Sequence, residues 1–189
     1  MPFETLMGDE AIALGAVHAG LSAAFAYPGT PSTEIMESCQ DLVARGSASI
    51  VAQWCANEKT AYESALGASW AGRRTMVSMK HVGLNVAMDP FVNSALLRIK
   101  GGLVVVVADD PGMHSSQDEQ DSRCLADFAR VPCLEPSDQQ EAYDKTREAF
   151  ELSEELRVPV MIRITTRLAH SRARVATVEP KAQNPVAKA

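Results

Sequence analysis

No two cysteines in this chain have the two-residue spacing of a metal knuckle or a redox motif. The four cysteines lie at positions 39, 55, 124 and 133. They read as reduced, small apolar residues of a cytoplasmic protein. Neither phosphate-binding glycine loop is present. There is no G-x-x-x-x-G-K-[ST], which excludes a P-loop, and no G-x-G-x-x-G after a strand pattern, which leaves a dinucleotide site without support. Positive charge is in deficit: 18 Lys and Arg stand against 24 Asp and Glu, for a net charge of −6 and a pI near 5.2. That balance argues against a nucleic-acid binder. The longest apolar runs, such as "GGLVVVVA", have the length of a strand and are too short to cross a bilayer. The opening "MPFETLMGDEA" lacks a basic region followed by an apolar core, so it does not read as a signal peptide.

What is present is globular. The chain has 189 residues, 46% hydrophobic and 22% charged, enough apolar material for the core of one ordinary domain. Helical and strand patterns alternate along it. "GDEAIALGAVHAG" carries apolar residues at helical spacing, with Gly20 as a stop. "SAAFAY" follows as a strand. "PSTEIMESCQDLVARG" reads as a helix with Thr30 as N-cap, Pro31 at the first helical position and Gly46 just past the end. Next come a strand "SIVAQW", a helix "NEKTAYESALGASWAG", a strand "RTMVSM" and the helical "HVGLNVAMDPFVNSALLRIKG", which Pro90 kinks or breaks. "LVVVVA" is apolar on both faces, as a central parallel strand should be. A polar loop, a helix "SRCLADFAR" and a short strand "VPCLE" precede the longest helix, where Ser137 and Gln140 make a capping box. "VPVMIRITT" is the last strand. The pattern predicts an α/β fold: an open, mostly parallel six-stranded sheet with helices on both faces, over residues 1–170. Residues 171–189 have no periodicity and read as a linker or flexible tail.

Ligands of such a sheet gather at the carboxyl ends of the strands. Four segments share that edge: "YPGTPST" (27–33), "WCANEK" (54–59), "SMKHVGLN" (78–85) and "ADDPGMHSSQ" (108–117). "YPGTPST" turns at Pro28 and Gly29 into a helix whose free amides would attract an anion, although a well-capped helix alone would look the same. Glu58 opens its helix, where the dipole favours an acid by about 0.3–1 kcal/mol. That ordinary explanation competes with a chemical one, since Glu58 stands at the sheet's mouth among small residues. Lys80 and His81 reach the same edge. His81 either titrates near neutrality or caps the following helix, and Gly83 permits close backbone approach. His114 lies in an acidic loop that is either a lid or a solvated surface. His18, inside the first helix, and His170, near the tail, are weak candidates.

These stretches, in this order, resemble the thiamine-diphosphate-dependent 2-oxoacid:ferredoxin oxidoreductases. The resemblance covers roughly residues 8 to 170, through "GDEAIALGAVHAG", "YPGTPSTEI", "NEKTAYESALGAS", "LEPSDQQEA" and "FELSEELRVPVMIR". "MKHVGLNVAMDP" and "ADDPGMHSSQDEQD" are the marks of its indolepyruvate branch. It implies the thiamine-diphosphate-binding fold and a pyrimidine-binding domain. In that family a Glu holds the ring nitrogen of the cofactor's aminopyrimidine, and Glu58 matches it. A carboxyl there shifts the ring toward the imino tautomer that removes the proton from the thiazolium carbon. Pro28, Gly29, Gly83 and Asn85 are implied as further cofactor contacts. Thr30 matches the position that holds a substrate carboxylate.

The chain departs from the pyruvate enzymes in one respect. They carry a substrate-binding Arg after the fourth strand, where this chain has Asp109-Asp110. A bulkier arylpyruvate is the implied substrate, with Lys80 or His81 supplying the positive charge. No metal ligand set is expected on the chain. Gly8-Asp9-Glu10 precedes the first helix and does not serve as a diphosphate segment, and no cysteine cluster for an iron–sulfur centre exists. Mg2+ and iron–sulfur clusters are therefore expected on partner domains, and thiamine diphosphate is expected to be shared with a diphosphate-binding domain, downstream or on a separate polypeptide. The implied activity is oxidative decarboxylation to an acyl-CoA, with ferredoxin, an arylpyruvate and coenzyme A as partners, in an oligomer, with neither nucleic acid nor membrane. The chain is not expected to be active alone. Two alternatives stay open: a subunit of a non-redox thiamine-dependent decarboxylase, and a non-catalytic α/β module that organises a complex or binds a small anion.

Overall fold

The computed structural model describes residues 2–182. Its centre is a six-stranded parallel sheet in the order β3-β2-β4-β5-β7-β6. The strands are β2 (Ala23–Ala26), β3 (Val51–Trp54), β4 (Thr75–Lys80), β5 (Leu103–Asp109), β6 (Cys133–Leu134) and β7 (Val160–Thr165). All six fall where the alternation of patterns predicts them. One face is covered by α1 (Gly8–His18), α2 (Thr33–Ala44) and α7 (Gln139–Leu156). The other carries α3 (Glu58–Trp70), α4 (His81–Val86), α5 (Met88–Leu96) and α6 (Arg123–Ala129).

β5 shows why the sheet must be covered twice. Every residue of it is buried. Val104, Val106 and Ala108 enter the first core, whereas Leu103, Val105 and Val107 enter the second. Side chains alternate across a strand, so two layers of helices are the only way to keep both sets from water. α1 is buried nearly all round, from Ala11 to Val17, as a helix enclosed by two neighbours and a sheet should be. Gly15 permits that enclosure. A Cβ there would sit 2.6 Å from the Tyr143 carbonyl oxygen of α7. On the other face Tyr62 of α3 packs edge-to-face on Phe91 of α5, with ring centroids 6.0 Å apart. Its hydroxyl donates to Ser94 Oγ at 2.8 Å, and Ser94 Oγ donates to the Phe91 carbonyl. This buried anchor fixes the start of α3 relative to the sheet.

The structure differs from the sequence reading at several boundaries. β1 (Phe3–Met7) and β8 (Arg172–Ala176) form a separate antiparallel ribbon, so the pattern-free stretch after residue 170 includes a strand; residues 183–189 of the expected tail lie outside the described residues. α8 (Thr166–His170) joins β7 to that ribbon. α2 starts at Thr33 with Ser32 as N-cap, so neither Thr30 nor Pro31 caps or opens it. Pro90 lies in the first turn of α5, where its missing N–H costs nothing, and the break falls before it, at Ala87. The cap of α7 is Asp138, whose Oδ1 accepts from the Glu141 amide at 2.8 Å. The Glu141 carboxylate in turn accepts from the Ser137 amide and hydroxyl. The N-cap is thus displaced by one residue from the expected Ser137, and the expected Ser137–Gln140 capping box is absent, because Glu141 reaches back to Ser137 and not to the cap's own amide. Burial pushes the thiol of Cys39 up to about 12 and that of Cys133 up to about 11. Both stay protonated at neutral pH, as inert core thiols do.

Two glycines make opposite predictions. Gly15→Ala should cost about 1–3 kcal/mol, because α1 must move off α7. Gly67, exposed on α3 with nothing within 4 Å of an added Cβ, should gain about 0.5–1 kcal/mol as Ala. Urea midpoints of the two variants should move in opposite directions.

Candidate cofactor-binding site

The chain leaves β2 toward β3 on one side and leaves β4 toward β5 on the other. The carboxyl ends of β2 and β4 therefore flank the sheet's topological switch point, where open α/β sheets place their ligands. Gly29, in the turn after β2, meets Lys80, the last residue of β4. A Cβ on Gly29 would lie 3.0 Å from Lys80 Cδ and 3.1 Å from Cγ. The Lys80 stem thus runs across bare backbone. Its ammonium donates to the Ser115 carbonyl at 3.1 Å and pairs with no carboxylate among the described residues. Ser115 Oγ donates to the Thr30 carbonyl at 3.2 Å. Three rim segments are tied together by these contacts.

Glu58 is the first residue of α3. Asn57 caps the helix, its Oδ1 accepting from the Thr60 amide at 2.9 Å. That bond releases Glu58 from capping duty. Its carboxylate is half-buried and makes no hydrogen bond or ion pair to any described residue. Gly83 is what gives it room. A Cβ on Gly83 would stand 2.7 Å from both Cγ and Oε1 of Glu58. The next residue, Lys59, is already engaged with Asp89 at 3.0 Å and Glu63 at 3.9 Å. An acid with no partner, at a helix N-terminus and against a glycine of the facing helix, can accept from or share a proton with a ligand.

The other expected residues are placed less uniformly. Thr30 and Pro28 are exposed on the turn, and Asn85 is exposed on α4. The turn is a poorer anion trap than its sequence suggests: the Gly29 amide donates to Thr33 Oγ1 at 3.0 Å and the Ser32 amide to the Gly29 carbonyl at 2.9 Å. His81 is fully buried. Its Nε2 lies 3.2 Å from both the carbonyl and Oδ1 of Asp118, and Nδ1 is buried without a partner. It fastens the acidic loop and is not presented at the rim.

Asp109 and Asp110 turn out to hold the frame. Asp109, fully buried, accepts from the Ser122 amide at 3.1 Å, from the Ser122 hydroxyl, and from Arg163 Nε at 2.8 Å. Arg163 also pairs with Glu135. Asp110 accepts from the Ser115 amide at 2.8 Å, Ser116 Oγ at 2.8 Å and Thr166 Oγ1 at 2.6 Å. Burial alone would raise its pKa. The hydrogen bonds from Thr166, Ser115, Ser116 and the His114 backbone outweigh burial and hold the carboxyl well below the usual range. Sequence reasoning saw this pair only as the absence of an Arg. Its partners in Ser122, Arg163 and Thr166 come from later elements, and no local signal announces them.

A family model described as "Pyruvate flavodoxin/ferredoxin oxidoreductase, thiamine diP-bdg" matches residues 14–189. The chain belongs to that family. Among curated proteins it is similar to the indolepyruvate oxidoreductase subunit IorA of Pyrococcus abyssi, at 51% identity over 170 residues, covering 90% of this chain and 26% of the relative. The IorA subunit of Archaeoglobus fulgidus is 49% identical over 168 residues, covering 88% of this chain and 27% of the relative. The 2-oxoglutarate synthase subunit KorA of Methanothermobacter thermautotrophicus is 32% identical over 177 residues, covering 90% of this chain and 46% of that subunit. The chain spans about a quarter of the length of the IorA relatives. Among solved structures, the 2-oxoglutarate:ferredoxin oxidoreductase from Magnetococcus marinus superimposes with a TM-score of 0.83 at 22% identity, over 97% of this chain and 33% of that one. It has the same fold. Among the described residues no helix is long and apolar enough to cross a membrane.

The depressed pKa of Asp110 sets a pH dependence. A carboxylate with a folded pKa below its unfolded value near 3.8 stabilises the fold above that pH and loses its contribution as pH falls further. Asp110→Asn should cost about 1–3 kcal/mol at neutral pH, through lost charge-assisted hydrogen bonds. It should also flatten the fall in stability below about pH 4, read from thermal melts across the acid range.

Proposed function

We propose that this chain is the pyrimidine-binding half of a thiamine-diphosphate-dependent 2-oxoacid:ferredoxin oxidoreductase acting on indolepyruvate or a related arylpyruvate. The uncommitted carboxylate of Glu58, held against Gly83, carries the reading. Family membership supports the cofactor. The similarity to IorA subunits supports the substrate class and favours a redox enzyme over a non-redox decarboxylase.

The residues fit the cofactor. Glu58 would hold the pyrimidine ring nitrogen and share its proton there. Gly83 would seat the Glu58 carboxylate and Gly29 the Lys80 stem beside the ring, with Pro28 and Asn85 alongside. Thiamine diphosphate, when bound, would supply the nucleophilic thiazolium carbon for the oxoacid carbonyl. Lys80, with an ammonium that no carboxylate among the described residues neutralises, would attract the substrate carboxylate, and Thr30 would donate to it from across the switch point. His81 would contribute indirectly, by fastening the 110–121 loop to the rim.

The rest of the machinery is assigned to other bodies: a diphosphate-binding domain with Mg2+, iron–sulfur clusters, and ferredoxin and coenzyme A as reaction partners. The pyrimidine site would then lie across an interface in an oligomer. The outward face of α3, with Ser64, Gly67 and Trp70 exposed, suits such a contact. The four free cysteines suit a cytoplasmic setting.

In the assembled enzyme, Glu58→Gln should lower thiamine-dependent turnover of the arylpyruvate by about 10²–10⁴-fold with an unchanged melting curve. Wild-type turnover in that variant would overturn the assignment. Lys80→Ala should raise KM for the oxoacid and leave kcat nearly unchanged, in steady-state assays with ferredoxin reduction as readout.

A further inference from the structure

Asp9 is the most poorly satisfied polar group among the described residues. It is fully buried in the first turn of α1, so Gly8-Asp9-Glu10 belongs to the helix rather than preceding it. Neither of its carboxylate oxygens has a hydrogen-bond partner. A buried carboxylate without a partner costs several kcal/mol unless something compensates it. Asp9 has no ion-pair partner among the described residues, and Arg172 pairs instead with Glu10 at 2.9 and 3.2 Å. Glu10 is itself committed to Arg172 and to the Met7 amide at 2.7 Å.

Two further side chains converge on Asp9. Glu34, in the first turn of α2, has a buried Oε2 with no hydrogen-bond partner. His170, the last residue of α8, brings Nε2 to 3.6 Å from that oxygen. One ligand atom from each of Asp9, Glu34 and His170 lies within 4.8 Å of the others. The convergence is built by close packing. Gly8 has no Cβ because the Leu168 carbonyl oxygen of α8 occupies that space, 2.3 Å from where one would lie. α8 is therefore seated on the start of α1, which carries His170 to the two acids. Glu34 and His170 are each about a third exposed, at 31% and 36%, so the cluster is open to solvent on one side. Glu34 also lines a groove with Glu10, Glu37, Ser38 and Asp41, whose acidic wall would draw cations in.

We propose that Asp9, Glu34 and His170 form a binding site for one divalent first-row metal ion of the zinc type. Two carboxylates and an imidazole, with room for water, suit such an ion. The ion would supply the positive partner that Asp9 lacks. It would also clamp α8 to the starts of α1 and α2. Thr33, beside Glu34, accepts from the Gly29 amide, and Thr166 of α8 donates to Asp110. The clamp would therefore brace both sides of the rim around Lys80 without touching it.

The test is titration of the chelator-treated full chain with Zn2+ by calorimetry, with Co2+ as a spectroscopic probe. The expected result is one saturable site per chain, a melting temperature that rises with Zn2+ concentration, and visible Co2+ bands. Asp9→Asn and His170→Gln should each weaken binding at least tenfold, and His170→Gln should change the Co2+ spectrum. His170 is partly exposed at a helix end, so that variant keeps the test valid if Asp9→Asn folds poorly. Absence of a one-to-one site overturns the proposal. So does Zn2+ binding that both variants leave unchanged, as binding to cysteine would be. A metal-free Asp9→Asn chain that melts higher, with no Zn2+ effect in the parent, would instead mark Asp9 as a neutral carboxylic acid and equally overturn it.

Discussion

Gly83 and Glu58 occupy space that only one of them could fill if both had side chains. A Cβ on Gly83 would collide with the Glu58 carboxylate, so the bare backbone of α4 is what lets an acid stand at the start of α3 with no partner. The surrounding elements serve that arrangement. Asn57 takes over the capping of α3. Tyr62 locks α3 to α5 through a buried hydroxyl pair and a ring contact. The parallel sheet brings the ends of β2, β3 and β4 to one edge. A carboxylate spared from structural work is affordable because its neighbours do that work.

The second layer of constraint comes from two aspartates that look functional and are architectural. Asp109 ties β5 to α6 and β7 through Ser122 and Arg163. Asp110 collects Ser115, Ser116 and Thr166. With these buried charges fully bonded, the loop beyond β5 has a fixed course. Lys80, at the switch point, is then a positive group without a carboxylate partner among the described residues.

Much of this was legible in the sequence, and what was not has physical reasons. The six sheet strands were readable because burial on both faces produces apolar runs such as "LVVVVA", and because helices separate them at regular intervals. The position of Glu58 at a helix start was readable, as was Gly83 as a point of close approach. That the two approach each other was not, since 25 residues and a strand separate them. β1 and β8 escaped because "FETLM" and "RARVA" are largely exposed and owe their order to each other across the whole chain. Arg174 over the Phe3 ring, 3.8 Å from its centroid, is part of that bond. Thr30 was mistaken for a cap because it precedes Pro31 in the right composition. The helix begins two residues later, where Ser32 Oγ and N–H both turn back to the Gly29 carbonyl. The structural role of the acids at positions 109 and 110 was not legible, because hydrogen-bond partners brought in by tertiary folding leave no periodic trace.

The acidic stretch after β5 is pinned at both ends, by Asp110 on one side and by His81 gripping Asp118 on the other. A segment clipped in that way works like a fixed visor. Its Ser115 is bonded to Lys80 and to Thr30, which holds the stretch across the ends of β2 and β4. Ser115 and Ser116 are themselves part of the first clip, so the stretch and the strand end that it crosses are braced by the same few hydrogen bonds.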